Sequence, residues 1–70
     1  MPDHAVALVL TFSEAGALFE AANLGLHRKA ELGMTGNGKA YDAMHKLAHG
    51  MGFRSKVEGA MVLLLPPLDS

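Results

Sequence analysis

The chain contains no cysteine, so neither a disulfide nor a thiolate metal site can hold it together. It has almost no net charge, −1 at pH 7 with histidine neutral, which removes the electrostatic drive toward nucleic acid or an anionic membrane. Long hydrophobic runs are missing as well. The two apolar stretches, residues 5–12 and 60–65, fall far short of the roughly 20 residues needed to span a bilayer. Met1-Pro2-Asp3-His4 lacks the positive region of a signal peptide, so a cytoplasmic protein is the expectation. At 70 residues the chain is read as a single small domain, 1–70. A chain of this size buries only about 60% of its unfolded surface, and such domains recruit disulfides, a metal or a partner subunit. With cysteine absent and 50% of the residues hydrophobic, self-association is the expected remedy.

What is present is patterned. Residues 5–12 are apolar and strand-length, alternating by size rather than polarity. Val6, Leu8, Leu10 and Phe12 form a bulky face expected on the core. Ala5, Ala7, Val9 and Thr11 form a thin one that suits close approach of a second copy. Thr11 with Glu14 has capping-box spacing. From Glu14 to about Leu32, Ala15, Leu18, Phe19, Ala22, Leu26 and Ala30 fall on one helical stripe. Glu20, Asn23, His27 and Glu31 make a narrow polar stripe, and Ala17, Ala21 and Leu24 a third stripe of mostly small apolar residues. A glycine-rich break at 33–38 precedes a second amphipathic helix over 39–49. There Ala40, Ala43, Met44, Leu47 and Ala48 face in, and Asp42, His45, Lys46 and His49 face out. Gly50 and Gly52 read as helix stops, with Phe53 placed for the contact that follows. Residues 53–65 fit a hairpin turning at Glu58-Gly59, one long bulged strand, or a short helix, and β structure is favoured. Leu10 and Leu63 are expected to point onto the helices, and Met44, Met51 and Met61 to fill the core.

Four patterns carry candidate chemistry. Gly33-x-x-x-x-Gly38-Lys39 has phosphate-loop spacing, but that chemistry needs a Ser or Thr where Ala40 stands and a buried strand where the charged stretch 27–32 precedes it. It is read as an interhelical turn. The same turn, Leu32-Gly33-Met34-Thr35-Gly36, resembles the signature loop of KH domains, and strand, helix, loop, helix, strand is the order of their minimal core. The resemblance implies a single nucleic-acid strand clamped by Gly33, Met34, Thr35 and Gly36, with Lys39 as the nearest charge. Met34 and Thr35 stand where the family carries a basic pair, and the first helix is longer than the family's. Pro2, followed by a strand and a long helix, is similar to the start of tautomerases that use an amino-terminal proline as general base. Arg28 and Arg54 are the only arginines for a carboxylate, and a second helix stands where those enzymes place a parallel strand. Finally, Asp42, His45 and His49 lie a helical turn apart, with His27 and Glu31 on the first helix, but read as solvated faces rather than a metal site.

The expected architecture is therefore a two-layer α+β unit of order β-α-α-β, its last strand single or folded into a hairpin. A helical hairpin covers one face of a small antiparallel sheet, and oligomerisation completes that sheet. The expected role is a homo-oligomeric interaction or small-ligand-binding module. No catalytic residue, cofactor or metal is assigned, and an enzyme is the less favoured class. The expected interface is Ala5, Ala7 and Val9 with Ala17, Ala21 and Leu24. A KH-like nucleic-acid binder and a proline tautomerase are the alternatives.

Overall fold

The computed structural model describes residues 4–68. Two helices precede one β-hairpin: α1 spans Phe12–Glu31, α2 Gly38–Gly50, β1 Arg54–Glu58 and β2 Met61–Leu65. The fold is thus a small α+β unit with a two-stranded antiparallel sheet. The expected first strand is not formed, because residues 4–10 lie outside any helix or strand. Strand conformation is stable only when its N–H and C=O groups find a ladder, and within the described chain residues 5–10 make no backbone hydrogen bond.

The local signals for the helices hold well. Thr11 caps α1 by the expected reciprocal pair: Glu14 N–H donates to Thr11 Oγ1 at 3.1 Å, and Thr11 N–H donates to Glu14 Oε1 at 2.9 Å. Both helices end in the same double-bonded motif. At α1, Met34 N–H reaches Lys29 C=O and Gly33 N–H reaches Ala30 C=O; at α2, Phe53 N–H reaches Ala48 C=O and Gly52 N–H reaches His49 C=O. Gly52 takes the left-handed position (φ 89°), whereas Gly50 remains helical. The hairpin turns at Gly59-Ala60, one residue later than the expected Glu58-Gly59. Gly59 at φ 62° supplies the left-handed first position of a tight two-residue connection.

The register pairs Val57 with Val62, Ser55 with Leu64 and Lys56 with Leu63. Val62 is fully buried against the helices, in a core with Phe19, Leu26, Met44 and Ala48. Because strand side chains alternate, Leu63 belongs to the opposite face, where it is half-buried beside Lys56. The expectation that Leu63 points onto the helices is therefore corrected. The aliphatic stems of Arg54, Lys56 and Glu58 share that outer face with Met61, Leu63 and Leu65, which is how long charged side chains shelter apolar neighbours.

Three polar side chains on the helices fasten the hairpin. Asn23 uses both ends of its amide on one residue: Nδ2 donates to Val62 C=O and Oδ1 accepts from Val62 N–H, each at 2.8 Å. Tyr41 OH donates to Ala60 C=O at 3.2 Å, and His45 Nδ1 shares a hydrogen bond with Ser55 Oγ. Asn23 and His45 were expected in water. Both are half-buried instead, because the hairpin packs against the polar flank of α1 and across the Tyr41–His45 side of α2.

Three substitutions test this arrangement. Val62→Asp is expected to abolish cooperative unfolding, since an unpaired charge cannot be tolerated at a position of 0% exposure. Leu63→Asp should remain folded with a lowered urea midpoint. Asn23→Ala removes two hydrogen bonds worth about 1 kcal/mol each, so a loss of about 2 kcal/mol is expected. Urea titration followed by circular dichroism measures all three. An unfolded Leu63 variant beside a folded Val62 variant would invert the face assignment.

Candidate functional site

On the opposite side of the helical pair from the hairpin lies an apolar groove of about 900 Å³. Its floor comes from α1 through Phe12, Ala15, Leu18 and Ala22, from α2 through Ala40, Ala43, Met44 and Leu47, and from Met51 just past the end of α2. On α2, Ala40, Ala43 and Leu47 recur at helical spacing on a stripe distinct from Tyr41, His45 and Ala48, so one helix serves two surfaces. The groove's edge is Val6, Leu8, Val9, Leu10 and Thr11 from the segment before α1. Among the lining residues only Lys46 is charged.

The groove gathers five of the chain's exposed large apolar side chains. Val6 is 82% exposed, Val9 98%, and Leu8, Phe12 and Leu18 more than half. Exposed apolar residues scattered singly need no explanation, but five large ones around a single concavity do. Leu10 is half-buried, and Phe12 is not on the core face expected of it. It opens α1, its ring lying 6.0 Å from that of Phe53 at an interplanar angle of 57°. That tilted pair ties the start of α1 to the end of α2 and anchors the point where residues 4–10 depart.

Of the expected interface, Val9 lines the groove; Ala5 and Ala7 are exposed on the same segment. Ala17, Ala21 and Leu24 are also exposed, but none lines the groove. They occupy the outer face of α1, away from Phe19 and Leu26, so the two halves of that expected patch lie on separate surfaces. Leu18, Ala43 and Leu47 were read only as inward-facing core residues. Their spacing could not distinguish a face packed on the chain's own sheet from a face left for something else.

The loop residues Gly33, Met34, Thr35 and Gly36 are exposed and form the connection between the helices, with Lys39 in the first turn of α2. Lys29 Nζ donates across this turn to Asn37 Oδ1 at 3.4 Å. Arg54 and Lys56 sit on the hairpin, Arg54 Nε donating to Pro66 C=O and Lys56 pairing with Glu58. Pro2 lies outside the described residues. Among those described, no three His, Asp or Glu side chains converge on a point that could hold a metal. Asp42 and His49 remain exposed while His45 turns to Ser55, and His27 pairs with Glu31 at 3.7 Å. Among the described residues, no helix is long and apolar enough to cross a membrane. Compared with protein-family models, with curated proteins and with solved structures, the chain matches none.

At the groove's rim, the backbone N–H and then the hydroxyl of Thr11 hold the Glu14 carboxyl below its ordinary value of 4.5. A depressed carboxyl stabilises the fold above its unfolded pKa, and that contribution disappears as pH falls through the folded value. The cap is therefore fully formed at neutral pH and fails only below about 4.5. In an NMR titration the Glu14 midpoint should rise toward 4.5 in Thr11→Val, which removes the hydroxyl. An unchanged midpoint would remove the hydroxyl from the cap's electrostatics.

Proposed function

We propose that the protein is a homo-oligomeric interaction module whose apolar groove is its docking surface. The observation that carries this reading is the excess of surface. A compact monomer of 7.4 kDa exposes about 4,200 Å² by the scaling of folded proteins, whereas this chain exposes 5482 Å². Its radius of gyration, 12.9 Å, likewise exceeds the roughly 11 Å of a compact 70-residue domain. The difference in area, about 1,300 Å², is larger than the roughly 800 Å² that each partner contributes to an ordinary stable interface. A second copy laid along the groove would cover the part of that surface formed by Val6, Leu8, Val9, Phe12 and Leu18.

A small apolar ligand is the second reading. It rests on the groove's volume, which falls within the roughly 300–1,000 Å³ of ligand sites. The KH-like alternative has the exposed Gly33–Gly36 connection in its favour, without a basic residue inside it. The tautomerase alternative turns on Pro2. Neither draws on the groove, which is the molecule's main concave apolar feature among the described residues.

The homo-oligomer reading is tested by light scattering on the whole chain. A mass of 15 kDa or more, twice the 7.4 kDa chain, is expected at micromolar concentration. Val9→Asp and Leu18→Asp should each lower it to the monomer value, since both positions are exposed and lining and neither supports the core. A monomer mass for the unmodified chain across the accessible range would defeat the reading.

A further inference from the structure

We infer that residues 5–10 of two copies pair as antiparallel strands about a two-fold axis, each strand laying its bulky residues over the partner's groove. The inference rests on the homo-oligomer reading and names the element that carries it.

Three observations converge. First, residues 5–10 are six consecutive apolar residues, four of them valine or leucine, with no backbone hydrogen bond within the described chain. A segment of that composition has strand propensity and lacks only a partner. Second, the chain's own sheet does not pair with it. On β2 the outward-facing N–H and C=O of Val62 are occupied by Asn23, which stations α1 along that edge. The other strand, β1, carries Arg54, Lys56 and Glu58 within five residues, and charge of this density discourages edge pairing. Third, at the end of the segment next to α1 the even-numbered side chains turn toward the groove, while Val6, 82% exposed, stays open at the other end. Leu10 is half-buried and Leu8 is 64% exposed, whereas Val9 between them is 98% exposed.

A second copy satisfies all three at once. Antiparallel pairing about a two-fold axis is self-complementary, so one segment can be both donor and acceptor. The even-numbered residues Val6, Leu8 and Leu10 of both copies must share the groove face. That restricts the pairing to registers in which like parity meets like. Centring the axis on Ala7 meets the condition. It sets Ala5 against Val9 and Val6 against Leu8, matching a small residue to a larger one on the odd-numbered face, from which Val9, 98% exposed, reaches the groove only at its edge. The groove of each protomer, open along its segment edge, is then closed by the partner's strand, so the site is incomplete in one chain alone.

The experiment uses the full chain. Ala7→Pro and Leu8→Pro are made singly. In an antiparallel ladder N–H groups point alternately toward and away from the partner, so one of these two must delete a ladder bond. Both residues lie outside the helices and the hairpin, so the circular dichroism spectrum should be unchanged while at least one variant falls to monomer mass. Independently, Ala7→Cys in the otherwise unmodified, cysteine-free chain should form an intermolecular disulfide under mild oxidation. Cys at Ala21, on the outer face of α1, serves as the slow control. If the unmodified chain is a monomer, the homo-oligomer reading and this inference fall together. If it is a dimer, both proline variants stay dimeric and Ala7→Cys links no faster than Ala21→Cys, the strand pairing alone is overturned. Should a proline variant lose its helical spectrum, the disulfide rate decides.

Discussion

The tertiary structure hangs on a single side-chain amide. A two-stranded hairpin is marginal in water by itself, and this one is held to α1 because Asn23 presents to Val62 the donor and acceptor that a neighbouring strand would have presented. The same contact places Val62 over Phe19, Leu26, Met44 and Ala48, so the small core and the polar clamp are one arrangement. From α2, Tyr41 satisfies a backbone carbonyl at the turn, and His45 bonds the side-chain hydroxyl of Ser55 on β1. Satisfying Val62 from a helix has a further consequence: it occupies that point of the strand's outer edge.

The molecule is asymmetric. The helical pair has two apolar sides, and the hairpin covers one. The other is left as a groove, edged by Val6, Leu8, Val9, Leu10 and Thr11. Residues 4–10 remain outside regular structure, with Val6 and Val9 almost fully exposed.

Helix boundaries were legible because their signals are local. Thr11 and Glu14 specify a capping box through contacts three residues apart, and Gly33 and Gly52 specify helix ends through backbone conformation. The hairpin was legible as one of three readings, since Gly59 fits both a turn and a bulge and only the pairing partner distinguishes them. Asn23 and His45 were misplaced for the opposite reason. A polar residue on a helix flank looks the same whether it faces water or a strand edge, and nothing near either residue in the chain records Val62 or Ser55. The groove was half legible: the strand-like alternation and the small residues were visible, but Leu18 and Leu47 read as core.

By itself, then, the sequence determined where the helices begin and end, that β structure follows them, and that the chain carries more apolar surface than it can bury. Those properties depend on neighbours within a few residues or on composition. Only the tertiary structure decided that residues 5–10 are not a strand in the single chain, that Val62 rather than Leu63 meets the helices, and that Val6, Leu8, Val9, Phe12 and Leu18 border one groove while Leu24 faces elsewhere. Each of these depends on which backbone donors and acceptors are already paired elsewhere. Hydrogen-bond pairing between distant segments is a property of the assembled fold, and a linear pattern of side chains does not contain it.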